Sequence, residues 1–474
     1  MTSRRPVAAL RPALLLLVLA LGGCASAPTG QPAEPALPAA FRHAAPASAP
    51  AATPAATEAW WQVFQDPVLD ELQATAAAGN TSLQSAAARL ARARALVRGA
   101  EAARNPQVGL RAGASRQAGP IENAAGTQGN LFTLLADFSW EADLFGRLQQ
   151  GVDAARLDAQ AQEALLRDTR LLVQANMAQA YFELRALDAE RAIVDAAARS
   201  WRDTVAITSQ RLRTGSVAEL ELVRAQAELA AIETDGQALQ RRRIQLEHAL
   251  ALLTGVPASS FELPPRDWRA PLPAIPPGVP ATVLTRRPDI AAALRGVQAA
   301  QTRAGLARTA WFPTLTLTAS GGSASPDLAQ LLQASTRAWG IAGLVGAVLF
   351  DGGRREAGIL QADADLEAAA VDYREHILVA LREVEDQLAS VQLLANQSQT
   401  ATTAVNLGRR ATTLAESRYR SGLASQLDVL DARRTELRNE RDALQVRSAQ
   451  YQATVRLIRA LGGGWEVAAL SSPP

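Results

Sequence analysis

Apolar residues recur every seven positions along two long stretches of this chain. Leu166, Val173, Ala180, Leu187 and Val194 form one seam, with Met177 and Leu184 at the intermediate position. Tyr373, Ala380 and Leu394 share that register in a second stretch, beside Ile377, Val384 and Val391. Heptads sustained over this distance predict coiled-coil helices, with polar Arg191 and Gln387 interrupting the seam. No proline lies between Pro120 and Pro257 or between Pro326 and Pro473, so nothing breaks either helical region. The first long helix is expected from Arg147 to Arg213, a span on the order of 100 Å at the α-helical rise. After Gly215 and Gly422 a second long helix returns, to about Thr254 and Leu461. The two glycine turns are therefore the expected tips of two helical hairpins.

A different period precedes each long helix. Thr314-Leu315-Thr316-Leu317-Thr318 alternates polar and apolar residues with β-branched side chains, a strand signal. Two strands are expected in each region: Gln107–Ser115 and about Asn130–Trp140, then Thr314–Ser320 and about Ala338–Phe350. Gly119-Pro120, Gly321-Gly322 and Ser325-Pro326 read as the turns between them. Shorter helices, Ser82–Arg104 and Ile290–Ala310, come first and end near Pro106 and Pro313.

The repeated order is a duplication. At a constant offset of 207 residues, Arg211-Leu212-Arg213-Thr214-Gly215 meets Arg418-Tyr419-Arg420-Ser421-Gly422. At the same offset Pro106 meets Pro313, and Gly146-Arg147 meets Gly353-Arg354. Such self-similarity takes precedence over a count of globular domains. The expected organisation is a first repeat at 58–257, a linker at 258–281, a second repeat at 282–465 and a tail at 466–474.

The N-terminus adds a compartment. Arg4, Arg5 and Arg11 precede an apolar run, Ala13 to Leu21, and then Gly22-Gly23-Cys24. This is the form of a secretory signal peptide, too short to span a membrane. Leu21-Gly22-Gly23-Cys24 resembles the bacterial lipobox, which makes residues 1–23 a leader and Cys24 the lipidation candidate. Cys24 is the only cysteine, so acylation would leave no thiol for disulfides or metal ligation. Ala25 and Ser26 follow it without an aspartate, which by resemblance to sorted lipoproteins favours the outer membrane. Residues 24–57, rich in Ala and Pro, read as a flexible tether. The formal net charge is +2, and three of the positive charges are leader arginines, so the mature chain gives no argument for nucleic acid. Every basic residue is an arginine, a coding bias more than a functional sign.

Four strands cannot close a transmembrane barrel, since the smallest use about eight. No mature segment spans as a helix. Several chains must therefore combine, and periodicity alone does not choose three over two or four.

Blocks distributed over nearly the whole mature chain bear on that choice. They are Trp60-Trp61-Gln62-Val63-Phe64-Gln65-Asp66-Pro67, Ser139-Trp140-Glu141-Ala142-Asp143-Leu144-Phe145-Gly146-Arg147, Leu284-Thr285-Arg286-Arg287-Pro288-Asp289-Ile290, Ala310-Trp311-Phe312-Pro313, Leu349-Phe350-Asp351-Gly352-Gly353-Arg354, Glu383-Val384-Glu385-Asp386 and Leu461-Gly462-Gly463-Gly464-Trp465. In content and order they resemble the outer-membrane factors of the TolC and OprM type, in their lipid-anchored, NodT-like branch. The resemblance implies an α+β, trimeric TolC-like channel: four β-strands per chain in a 12-stranded outer-membrane barrel, continuous with a long α-helical periplasmic barrel. It implies the exit duct of a tripartite, RND-type efflux pump, with a periplasmic adaptor and an inner-membrane pump as partners. The alternatives are the channel of a type I protein secretion system, and a lipid-anchored periplasmic coiled-coil adaptor.

The resemblance also implies site residues. Asp428 and Asp431 fall where the family places acidic constriction residues, three apart and so on one helix face. Threefold symmetry would make them two acidic rings that attract cations; a solvated face is the alternative, since Arg433 and Arg434 follow. Tyr419 takes the position of a closing hydrogen bond and Glu221 that of its partner on the neighbouring hairpin. Ala424 stands where the family type member has an arginine, leaving Arg418 or Arg420 as substitutes. The turns with Arg213, Gly215 and Ser216, and with Arg420, Gly422 and Leu423, are the implied adaptor contacts.

Asp143 and the helix-start block Arg287-Pro288-Asp289 read as structural punctuation, and Trp60-Trp61 as packing beside the tether. His43, His248 and His376 are scattered, with no metal-ligand spacing, and no phosphate loop or nucleophile elbow appears. No catalysis, metal, cofactor or nucleic acid is expected.

Overall fold

The structure, a computed structural model, describes residues 37–43, 59–117, 129–268, 270–275 and 280–463. In chain order these form α1 (Pro67–Gly79), α2 (Thr81–Ala102), β1 (Gln107–Gln117), β2 (Gly129–Ala142), α3 (Arg147–Arg213) and α4 (Glu219–Thr254). The second half follows with α5 (Pro280–Arg286), α6 (Pro288–Arg308), β3 (Thr314–Ser325), β4 (Arg337–Gly346), α7 (Arg354–Arg420) and α8 (Gln426–Ala460). The chain divides into two compact units. One contains Val97–Leu157 and Val297–Val371, and the other Ala36–Leu96, Asp158–Gly296 and Asp372–Pro474.

The first unit holds one antiparallel sheet in the order β1-β2-β3-β4. The strand after Pro313 is longer than its alternation predicted. Gly321 and Gly322 lie inside β3, paired with Ala136 and Leu135, and are not a turn. A Cβ on Gly322 would collide with the Leu134 carbonyl oxygen. Glycine here therefore marks a close approach of two backbones. At the other end β4 stops at Gly346, leaving Val348, Leu349 and Phe350 exposed beyond the ladder.

Local chemistry explains how the strands hand over to helices. Asp143 accepts from the backbone N–H groups of Leu148 (3.1 Å) and Gln149 (2.8 Å), so its carboxylate caps α3. Arg147 forks onto Glu141 at 2.7 and 2.8 Å and not onto Asp143. In the second copy Asp351 accepts from the N–H groups of Gly353 and Arg355, both at 3.1 Å.

The second unit carries the main core. Val173, Met177, Leu184, Leu187 and Val194 on α3 and Tyr373, Ile377, Ala380 and Val384 on α7 are buried, as the heptads require. An aromatic cluster joins α3 to the N-terminal block and to the segment between the repeats. Phe182 stands 4.7 Å from Phe64 and 4.9 Å from Tyr451, and Trp268 stands 4.5 Å from Tyr451. Trp60 is buried and its indole N–H donates to Gln174 at 3.1 Å, which makes it a packing residue.

Two charged networks lie beneath this surface. Asp188 receives Arg185 at 2.9 Å and Arg243 at 2.7 Å, and Arg243 also reaches Glu247 at 3.1 Å. Glu247 accepts from Leu263 N–H and Arg185 donates to the Pro264 carbonyl, so the network holds the segment between the repeats. Arg287 binds Asp289 at 2.7 Å, Glu383 at 2.6 Å and the Ala460 carbonyl at 3.2 Å. Asp289 thus serves this network as well as the N–H of Ile290. Burial raises the Asp289 carboxyl, but the hydrogen bond and charge of Arg287 outweigh it and hold the group below the usual aspartate range.

The tether expected at 24–57 differs over its one described part. Phe41 is buried, and the Arg42 and His43 N–H groups donate to Glu385 at 2.7 and 3.3 Å. Residues 37–43 are docked because one carboxylate on α7 receives two backbone donors. Cys24, the leader, the rest of the tether and the tail at 466–474 lie outside the described residues.

Candidate functional site

The sheet has two chemically distinct faces. Successive residues of a strand point to opposite sides, and the register aligns Val108, Phe138, Ala319 and Ile341 in one row. Leu110, Ala136, Gly321 and Trp339 form the next row on that face. Trp339 and Ile341 are 81% and 80% exposed, so this apolar surface is uncovered within one chain. The opposite face carries Gly109, Asp137, Ser320 and Gly340 in one row and Gln107, Ser139, Thr318 and Ala342 in another. Apolar outside and polar or small inside is the pattern of a membrane barrel wall. Among the described residues the outer edges of β1 and β4 have no partner strand. Among the described residues no helix is long and apolar enough to cross a membrane.

The hairpin turns are built twice in the same way. At the end of α3, Gly215 N–H donates to the Leu212 carbonyl and Ser216 N–H to the Arg211 carbonyl, both at 2.9 Å. At the end of α7, Gly422 N–H donates to Tyr419 (3.0 Å) and Leu423 N–H to Arg418 (2.9 Å). Gly215 and Gly422 have φ of 71° and 72°. These are Schellman caps, in which a left-handed glycine satisfies the last carbonyls of a helix. Arg213 and Arg420 are the final helical residues, and Leu423 stands exposed just past the second turn.

The two following helices start differently. Ala218 gives α4 no side-chain cap, whereas Ser425 and Asp428 form a full capping box on α8. Asp428 accepts from the Ser425 N–H and hydroxyl, both at 2.8 Å. Those donors, with the charge of Arg418 behind them, hold its carboxyl below the usual aspartate range. Asp428 therefore folds back onto its own helix start, while Asp431 is exposed and 3.8 Å from Arg434. Of the two substitutes for the missing arginine, Arg418 acts on Asp428, and Arg420 donates to the Glu416 carbonyl.

Tyr419 and Glu221 are not brought together within the chain. The Tyr419 hydroxyl accepts from Arg211 of the other hairpin at 2.8 Å, and the guanidinium lies 5.6 Å from the ring centre. Glu221 sits in the first turn of α4. Further contacts continue this stitching between the hairpins. Gln426 donates to Thr208, Arg433 to Thr204, Arg434 pairs with Glu228, and Arg441 joins Glu190 and Asp235 at 2.8 Å each. In the sequence Arg211 is marked only by the duplication, in which Arg211-Leu212-Arg213-Thr214-Gly215 meets Arg418-Tyr419-Arg420-Ser421-Gly422.

The profile of the outer membrane efflux protein family matches residues 72–256 and 279–463, two copies displaced by the same 207 residues. The chain belongs to the outer membrane efflux protein family. Outer membrane protein OprJ of Pseudomonas aeruginosa is 31% identical over 458 residues, covering 95% of each chain. The cation efflux system protein CusC of Escherichia coli is also 31% identical, over 95% of this chain and 98% of its own. Among solved structures, the outer-membrane channel OprN superposes with a TM-score of 0.86 at 30% identity, over 94% of this chain and all of that one.

This efflux protein is a protomer of a trimeric TolC-like channel. Three copies pair the free edges of β1 and β4 and close twelve strands into a barrel. It is the outer-membrane exit duct of an efflux pump and acts with a periplasmic adaptor. It resides in the outer membrane of a Gram-negative cell and extends into the periplasm.

Proposed function

We propose that the hairpin tips of this duct are both its periplasmic aperture and its adaptor contact, in a passive conduit for small toxic solutes driven by an RND-type inner-membrane partner. The observation that carries the reading is the pair of matched Schellman turns beside Asp428 and Asp431. Each chain presents the same exposed cap twice, so a trimer presents six near-equivalent docking points. Arg211 and Tyr419 latch the two hairpins of one chain, and the Asp428 and Asp431 carboxylates line the opening. The chain performs no catalysis in this role, and Cys24 carries the lipid anchor; labelled palmitate should disappear from a Cys24→Ser variant.

Single-channel recording tests the aperture. Asp428→Asn paired with Asp431→Asn removes the charge and keeps an oxygen acceptor for the helix cap. Cation selectivity should fall and conductance should change. An unaltered channel in the folded double variant would remove these residues from the aperture.

A further inference from the structure

A cavity of about 450 Å³ opens among α3, α7 and α8, away from the turns. Its floor is apolar: Ala192, Ile193, Ala196 and Ala197 of α3, with Leu437 of α8 and the buried Trp201. Its remaining lining is polar: Glu416, Glu436 and Glu440 with a single Arg433, and the hydroxyl residues Ser200 and Thr412. Two of these carboxylates are already engaged. Glu416 holds Arg433 at 2.7 Å, and Glu440 holds Arg409 at 2.6 Å. Glu436 has no hydrogen-bond or ion-pair partner among the described residues.

A second observation is independent of charge. Thr412 also lines the cavity, is 8% exposed, and its hydroxyl has no hydrogen-bond partner among the described residues. A threonine in a helix ordinarily donates to the carbonyl four residues earlier, as Thr402 and Thr413 of the same helix do. A buried hydroxyl without a partner is costly and asks for an explanation, an unseen ligand being one.

We propose that this cavity is a binding site for an organic cation: a primary ammonium carried on a compact aromatic or branched hydrocarbon body. The alanine-rich floor accepts the hydrocarbon, and the volume lies within the range of small-molecule sites. Glu436 supplies the counter-charge, and the Thr412 hydroxyl supplies a polar contact. An anion is disfavoured because Arg433 and Arg409 are already held by Glu416 and Glu440, which leaves the Glu436 carboxylate as the uncompensated charge of the lining. A bare metal ion does not fit either, since no three His, Cys, Asp or Glu among the described residues gather as ligands. The ligand would touch α3, α7 and α8 together and brace the two hairpins. The site is independent of the aperture, and its test requires no transport.

The probe is 2-phenylethylammonium, titrated calorimetrically into the detergent-purified trimer, with neutral 2-phenylethanol as its comparison. Saturable binding is expected at one site per chain, at least tenfold tighter for the ammonium than for the alcohol. Glu436→Gln should weaken it about tenfold, and Thr412→Val several-fold, with the trimer intact on a gel. Trp201 fluorescence should respond to the ligand, and Trp201→Phe should remove that response. No saturable binding overturns the proposal, as a cavity covered by a second copy would also show. Equal affinity for the alcohol, or an undiminished Glu436→Gln variant, overturns it as well.

Discussion

Arg211 of the first hairpin donates to the hydroxyl of Tyr419 at the end of the second, at 2.8 Å. Both residues occupy the last turn of their helix, and a left-handed glycine follows each. The contact ties one turn to its duplicate. Tyr419→Phe should therefore loosen the tips while leaving the trimer folded, since an exposed hydrogen bond to a charged group is worth only ~1–3 kcal/mol. Single-channel conductance should rise, and Arg211→Ala should raise it similarly, with the double variant showing no further increase. Additive effects would mean the two side chains act separately.

The turns should also report on the partner. Cysteines placed at Ser216 and Leu423 stand at equivalent points of the two caps, on an otherwise cysteine-free mature surface once Cys24 is acylated. In intact cells both should crosslink to the periplasmic adaptor. Efflux at the normal rate with no crosslink at either position would place docking elsewhere.

Gly255 ends α4 with φ 77°, and a Cβ there would collide with the carbonyl of Gly79. The reverse also holds, since a Cβ on Gly79 would strike the Thr254 carbonyl. Gly255→Ala combines a left-handed conformation, costing about 1–2 kcal/mol, with a steric clash. Its yield of heat-resistant trimer on a gel should drop sharply. Gly422→Ala has the same φ penalty without any neighbour within 4 Å, so its loss should be small.

Asp188 is buried between Arg185 and Arg243. Removing its charge leaves the buried Arg185 without a carboxylate and Arg243 with Glu247 alone, and breaking a buried pair in this way typically costs about 3–5 kcal/mol. The exposed pair Arg202–Glu233, at 2.8 Å, falls in the class worth roughly 0–1 kcal/mol. Asp188→Asn should accordingly lower the denaturant midpoint much more than Glu233→Gln. Equal shifts would show that the buried network is not a stabilising element.

Burial, with Asp289 and Glu383 nearby, raises the Asp168 carboxyl above its ordinary value in spite of Arg459 and Arg287. The folded protein then holds this proton more tightly than the unfolded chain. Its ionisation therefore costs stability above the folded pKa, and that cost is relieved as pH falls through it. Asp289 has the opposite sign: its lowered pKa contributes stability at neutral pH that is lost as pH falls below the ordinary aspartate value. Asp168→Asn should raise thermal stability at pH 7 and leave little difference near pH 3. A loss at pH 7 would refute the assignment.

Much of the architecture is carried by local patterns and was readable in advance. Seven-residue periodicity, uninterrupted by proline, specified α3 from Arg147 to Arg213, and the 207-residue offset specified that α7 and its turn repeat it. Gly215 and Gly422 announced their turns because a Schellman cap needs a residue that accepts positive φ. Period-2 alternation located the strands, since it reports burial on one face of a single chain segment.

The remainder depends on which distant residues come to share space. Gly321 and Gly322 looked like a turn, and only the approach of β2 shows why a strand needs glycine there. Asp428 and Asp431 share a helix face by their spacing, and only the packed turn shows that the Asp428 carboxylate also accepts from the N–H and hydroxyl of Ser425. Tyr419 meets Arg211, 208 residues away in sequence, and Glu385 gathers the N–H groups of Arg42 and His43 over a similar distance or more. Sequence alone determined the helices, the strands and their duplication, because each follows from the backbone and the pattern within one segment. Tertiary structure alone decided the partners of the polar side chains, because a charge or a hydroxyl pairs with whatever group the packed helices bring within about 3 Å.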